Sequence, residues 1–109
     1  MTLEAISDER CENAMRYLAE TDRSAAELKV EALRLEDEIK AVKAAIYQRV
    51  DGSVEFRKAF SETHENTVEA RNKYFAALLK HEQMANRRRT EERITDLWRS
   101  VNANRRQGQ

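Results

Sequence analysis

Three side chains in this sequence have the chemistry for catalysis or metal binding: Cys11, His64 and His81. A thiol nucleophile needs an imidazole within hydrogen-bond reach. With the chain folded back on itself near its middle, His81 lies about 24 residues, or ~36 Å of helix, from the segment that faces Cys11. His64 is further still. Cys11 therefore reads as structural. Helical metal sites pair ligands three or four residues apart. Around His81 those positions hold Ala77, Leu78, Met84 and Ala85, and around His64 they hold Phe60, Ser61, Thr67 and Val68. Glu62, Glu65 and Glu82 stand one or two residues from a histidine, where helical side chains do not face each other. The expectation is no catalytic residue, no metal and no cofactor. No Gly-rich phosphate loop or nucleophile elbow is present either, so an enzyme is not expected.

The remaining chemistry is basic. Arg87, Arg88 and Arg89 are followed by Arg93, Arg99, Arg105 and Arg106. Clustered guanidinium groups bind phosphate backbones or an acidic partner. Glu91, Glu92 and Asp96 interrupt the run. Two readings stand: Arg87, Arg88, Arg89, Arg99, Arg105 and Arg106 contact nucleic acid, or they pair with acids of the same assembly. Residues 1–39 carry eleven acidic against five basic residues, and residues 80–109 carry eight basic against four acidic. The two halves can neutralise each other.

Long helices must position these groups. The 109 residues include no Pro, two Gly and 37% charged residues. Such a composition favours helix with few turns. Leu28, Ala32, Leu35, Ile39, Val42 and Ile46 recur at spacings of four and three. That is a coiled-coil seam about three heptads long, and it needs a partner helix. Ser7 is placed to cap a helix ahead of Asp8 and Glu9. The stretch Thr21-Asp22-Arg23-Ser24 could start a new helix, but without Gly or Pro a continuous arm over residues 8–50 is favoured. Asp51-Gly52-Ser53 ends that arm, and Ser53 caps a short helix bearing Phe56 and Phe60, which would plug the hairpin end. Thr63 is a second capping site. Arm 2 covers about 64–103, with Val68, Phe75, Leu78 and Leu79 as its apolar stripe. Residues 104–109 form a basic tail, and fraying is expected from Asn102.

The predicted fold is all-α: one domain over 1–109, a long antiparallel coiled-coil-like helical hairpin that dimerises into a helical bundle. Equal arms would set Ile39 and Val42 near Phe75, and Cys11, Met15 and Leu18 near Trp98 and Val101. Glu27 and Glu31 would face Arg87–Arg89. A hairpin has a thin core. The expected interface is Leu28, Leu35, Ile39, Val42, Ile46, Ile94, Leu97, Trp98 and Val101. A single cysteine, the lack of a signal-peptide pattern and the lack of an ~18-residue apolar run point to a reducing, cytoplasmic location, with no membrane contact.

Three stretches carry a resemblance. They are Tyr17-Leu18-Ala19-Glu20-Thr21-Asp22, the turn Asp51-Gly52-Ser53-Val54 with Glu55-Phe56-Arg57-Lys58-Ala59, and Leu97-Trp98-Arg99-Ser100-Val101-Asn102-Ala103-Asn104-Arg105-Arg106. Together they resemble small helical proteins of bacteriophages and prophages, over most of the chain. The resemblance implies a phage accessory role beside DNA recombination. Phage inhibitors of host recombination nucleases share the small helical dimer architecture. The expected function is therefore non-enzymatic binding of a host or phage protein, in recombination or in counter-defence against host nucleases. A nucleic-acid-binding accessory and a structural assembly scaffold are the alternatives.

Overall fold

A computed structural model describes residues 6–107. Among these residues the fold is an all-α helical hairpin of three helices, α1 (Asp8–Arg49), α2 (Val54–Thr63) and α3 (Glu65–Gln107). α1 begins where Ser7 Oγ accepts the Arg10 amide at 3.0 Å. Asp8 and Glu9 occupy its first turn, where they complement the helix dipole. It runs unbroken through Thr21, whose hydroxyl donates back to the Tyr17 carbonyl at 2.7 Å and so does not start a new helix. Arg16 donates to Asn13.

Gly52 makes the turn at φ +128°, a conformation that side chains with a Cβ rarely adopt. Ser53 then caps α2 by accepting the Phe56 amide at 3.1 Å. Arg57 docks α2 against the end of α1. Its guanidinium donates twice to the Tyr47 carbonyl, at 2.8 and 3.1 Å, and lies 4.0 Å over the Tyr47 ring. That carbonyl falls in the last turn of α1, where no intrahelical donor remains for it.

The second corner differs from the sequence expectation. Thr63 caps nothing; its hydroxyl bonds back to the Ala59 carbonyl. His64 takes the extended conformation, and its Nδ1 accepts the Asn66 amide at 3.0 Å. Thr67, fully buried, donates to the Ser61 carbonyl at 2.7 Å and locks the corner. α3 also outruns its expected end near residue 103. It stays helical to Gln107, and Arg105 and Arg106 in its last turn favour the negative pole of the helix dipole.

Packing gathers into two compact units. One joins the chain up to Ala25 with the chain from Glu82 onward; the other is Ala26–His81. In the first, Ile6, Ala14 and Ile94 form a core with Trp98 against it, and the indole Nε1 donates to Asp8 at 2.9 Å. In the second, Ala32 and Leu35 pack on Ala77 and Tyr74.

These contacts correct the expected register. Ala32 and Leu35 face Ala77 and Tyr74, whereas Phe75 is exposed and does not cover Ile39 and Val42. Trp98 meets Ile6, Ala14 and Asp8. The α1 seam is longer than the three heptads from Leu28. Every position in the series Cys11, Ala14, Leu18, Thr21, Ala25, Leu28 is buried or half-buried, and the same spacing continues to Ile46. α3 answers with Ala70, Tyr74, Ala77, His81, Met84, Arg88, Glu91, Thr95 and Trp98, again at threes and fours and none exposed. Phe75 and Leu79 lie off that row.

Candidate interaction surfaces

The basic segment belongs to the first unit, and much of it is engaged there. Arg88 donates to the Leu18 carbonyl at 2.8 Å and to the Thr21 hydroxyl at 2.6 Å, with Asp22 at 3.5 Å. Arg87 lies 4.6 Å over the Tyr17 ring and donates to Glu91 at 3.1 Å. Arg10 reaches the same carboxylate from α1 at 3.0 Å. Arg89 bonds Asn86 on its own helix, and Arg99 pairs with Asp96 at 3.8 Å. Arg105 and Arg106 are exposed.

The expected facing of Arg87–Arg89 with Glu27 and Glu31 gives way to this arrangement. Arg88 meets Leu18, Thr21 and Asp22, some 5 to 13 residues earlier on α1 than Glu27 and Glu31. Glu31 is taken by Arg34 through bonds of 3.1 and 2.7 Å. That hydrogen bond, opposed by some desolvation, lowers the Glu31 pKa. The sequence could not place Arg88 and Glu91 in the seam, because charged residues at helical spacing read as a solvated face. Continuing the three-four spacing backwards from Trp98 would have found them.

The expected interface residues divide the same way. Leu35 and Ile94 are buried, and Leu28, Ile39, Val42, Ile46, Trp98 and Val101 are half-buried. Leu35, Ile94 and Trp98 sit in the intramolecular cores, and Leu28, Ile39, Val42 and Ile46 share the seam row with Leu35. Leu97 alone of that set is exposed.

Besides Leu97 and Met15 in the first unit, the large exposed apolar groups are residues outside that set. In the second unit they are Val30 and Leu33 on α1, Val68, Phe75 and Leu79 on α3, and Val54, Phe56 and Phe60 on α2. Phe56 and Phe60 lie at the hairpin end but stay 53% and 40% exposed rather than filling it. Their tilted rings have centroids 6.0 Å apart, Phe60 meets His64 edge-on at 5.7 Å, and Phe60 borders a hollow with Ile46, Arg49 and Val50. A groove of about 560 Å³ along one flank of this unit is lined by apolar Leu28, Leu35, Ala76 and Ala77 and by charged Glu31, Arg34, Glu38, Lys73 and Lys80.

Cys11 is buried beside Met15, and burial pushes its thiol pKa up, away from the thiolate a nucleophile needs. His64 caps α3, and His81 lies half-buried in the α3 seam. Among the described residues, no group of three or more His, Cys, Asp or Glu could hold a metal ion. No helix among them is long and apolar enough to cross a membrane. No family model, curated protein or solved structure matches this chain.

Proposed function

We propose that this chain is a non-enzymatic protein-binding accessory, a helical hairpin that acts by presenting apolar surface to other proteins. One observation carries the reading. The second unit keeps Ala32, Leu35 and Ala77 inside and leaves Val30, Leu33, Phe75, Leu79, Phe56 and Phe60 outside. Burying a large apolar side chain stabilises by ~1.5–3 kcal/mol, so large apolar groups left in water while small ones fill the core favour surfaces that meet a partner. The bacteriophage setting, in DNA recombination or in counter-defence against host nucleases inside the bacterial cytoplasm, is supported by the resemblance of the three stretches named above.

The test is affinity capture from phage-infected cell lysate, with the intact chain and with Phe56→Ser/Phe60→Ser. A partner retained by the first and lost by the second supports the reading; identical captures count against it. A second reading, nucleic-acid binding, draws on the exposed Arg89, Arg93, Arg99, Arg105 and Arg106. It requires affinity that falls steeply with salt, with a log–log slope of about −0.9 per neutralised phosphate on duplex DNA. Sub-micromolar, salt-steep binding to DNA would put that reading first.

A further inference from the structure

The seam of the second unit is covered on one flank and open on the other. On the covered flank, Lys58, Ser61 and Glu62 of α2 border a hollow with Lys43, Ala44 and Tyr47 of α1, and Lys43 bonds Glu62 at 2.9 Å. On the other flank the groove of about 560 Å³ is lined by α1 and α3 alone. Past Glu38 and Lys73 it continues into a second hollow of about 290 Å³, again between α1 and α3. Both hollows share Glu38 and Lys73, so one groove runs from Leu28 to Ile46. Its apolar floor is the edge of the seam: Leu28, Leu35, Val42 and Ile46, none of them exposed. Ala45 and Ala76 on its rims are small and exposed, which leaves room above the floor. In a four-helix bundle, a second helical pair closes such a groove.

The charges on the rims select the occupant. On the α1 rim, Glu31 and Glu38 share a single cation, Arg34 of their own helix. On the α3 rim, Lys73 pairs only with Glu69 of its own helix, at 3.6 Å, and Lys80 has no ion pair among the described residues. Around the larger hollow the α1 rim is thus net negative and the α3 rim net positive. Around the smaller one the signs reverse, with Arg49 on α1 and Glu69 on α3. Contact of Ala32 and Leu35 with Ala77 and Tyr74 sets Lys80 level with Glu31, and Lys73 level with Glu38.

A two-fold axis parallel to the helices, in the mouth of the groove, lays α1 of each copy on α3 of the other at the same level. It brings Lys80 and Lys73 of the second copy over Glu31 and Glu38, and the same patch serves both partners, as an isologous interface requires. An axis perpendicular to the helices lays α1 on α1 and α3 on α3. It sets carboxylates on carboxylates and lysines on lysines, which costs affinity.

We infer that a second copy of this chain closes the Leu28–Ile46 groove, with α1 of each copy on α3 of the other about a two-fold axis parallel to the helices. The inference goes beyond the protein-binding reading above, and its readout is mass rather than capture.

Sedimentation equilibrium of the full chain at about 50 µM should give twice the chain mass. Glu31→Lys/Glu38→Lys and Lys73→Glu/Lys80→Glu should each weaken that dimer about tenfold while circular dichroism stays helical. Mixed together, the two variants should form a heterodimer. A chain carrying all four changes should return to within about threefold of the original. In a Cys11→Ala background, a mixture of Arg34→Cys and Ala76→Cys chains should form an interchain disulfide when diamide takes up the two thiol protons and two electrons. Neither chain alone should do so, because the axis sets each of these positions against the other. A monomeric mass, or a dimer unchanged by all of these variants, overturns the inference and leaves the capture reading untouched. Cross-linking by Arg34→Cys alone, or a four-change chain as weak as the two-change chains, overturns the arrangement of α1 on α3. A doubled mass retained by Phe56→Ser/Phe60→Ser while capture is lost supports both readings.

Discussion

Glu91 offers the sharpest test of the packing. Its side chain is 2% exposed, in the seam of α3. Oε1 accepts from Arg10 at 3.0 Å and from Arg87 at 3.1 Å, while Oε2 lies 2.7 Å from the Arg10 guanidinium without an aligned hydrogen bond. Removing one member of a fully buried pair costs ~3–5 kcal/mol, because a desolvated charge is left behind. The Arg10 side chain is 35% exposed and Arg87 stays in place, so water and a second cation screen part of that cost. Arg10→Met, which keeps the aliphatic stem, should therefore destabilise by roughly half as much, ~1.5–2.5 kcal/mol. Glu91→Met removes the buried charge itself and should be neutral or stabilising by up to ~2 kcal/mol. In that background Arg10→Met should cost almost nothing. Urea unfolding followed by helical circular dichroism measures all four corners of the cycle. Equal losses for the two single variants, or a cost below about 0.3 kcal/mol for Arg10→Met, would refute the argument that Glu91 is a buried charge held by its partners.

Other perturbations probe the turn, the ion pairs and the thiol. Gly52→Ala forces a Cβ into positive φ, 3.0 Å from the Phe56 ring, and should cost ~1–3 kcal/mol in the same unfolding assay. The Lys43 hydrogen bond, then the charges of Lys43 and Arg71, lower the Glu62 carboxyl below its ordinary 4.5. Its contribution is present above that ordinary value and is lost as pH falls through the depressed one, so Glu62→Gln should flatten the acid limb of the stability–pH curve. The Tyr74 hydroxyl, hydrogen-bonded to Glu36, is raised above its ordinary 10.0. Stability from that bond is present below pH 10 and is lost as pH climbs through the raised value, an alkaline limb that Tyr74→Phe should remove. Cys11 should react with a disulfide reagent much more slowly in the native chain than in urea, as absorbance of the released thiolate would show.

The sequence by itself determined the helices and the first of their two matching rows. Leu28 to Ile46 spells out a seam in apolar residues at threes and fours, and Gly52-Ser53 marks the turn through backbone freedom and a capping hydroxyl. Both signals are local, so they survive without knowledge of the partner. The tertiary structure decided the phase of α3. Two rows on that helix have helical spacing: Val68, Phe75 and Leu79, which is the more apolar, and Ala70, Tyr74 and Ala77, which is the smaller. Hydrophobicity favours the first. Packing against Ala32 and Leu35 uses the second, and that packing is a property of the pair. That choice moved Phe75 into water, brought Arg88 against Leu18, Thr21 and Asp22, and buried Glu91 between Arg10 and Arg87. A charged residue can sit in a seam only when the facing helix supplies its counter-charge, and the sequence does not state which residue faces it.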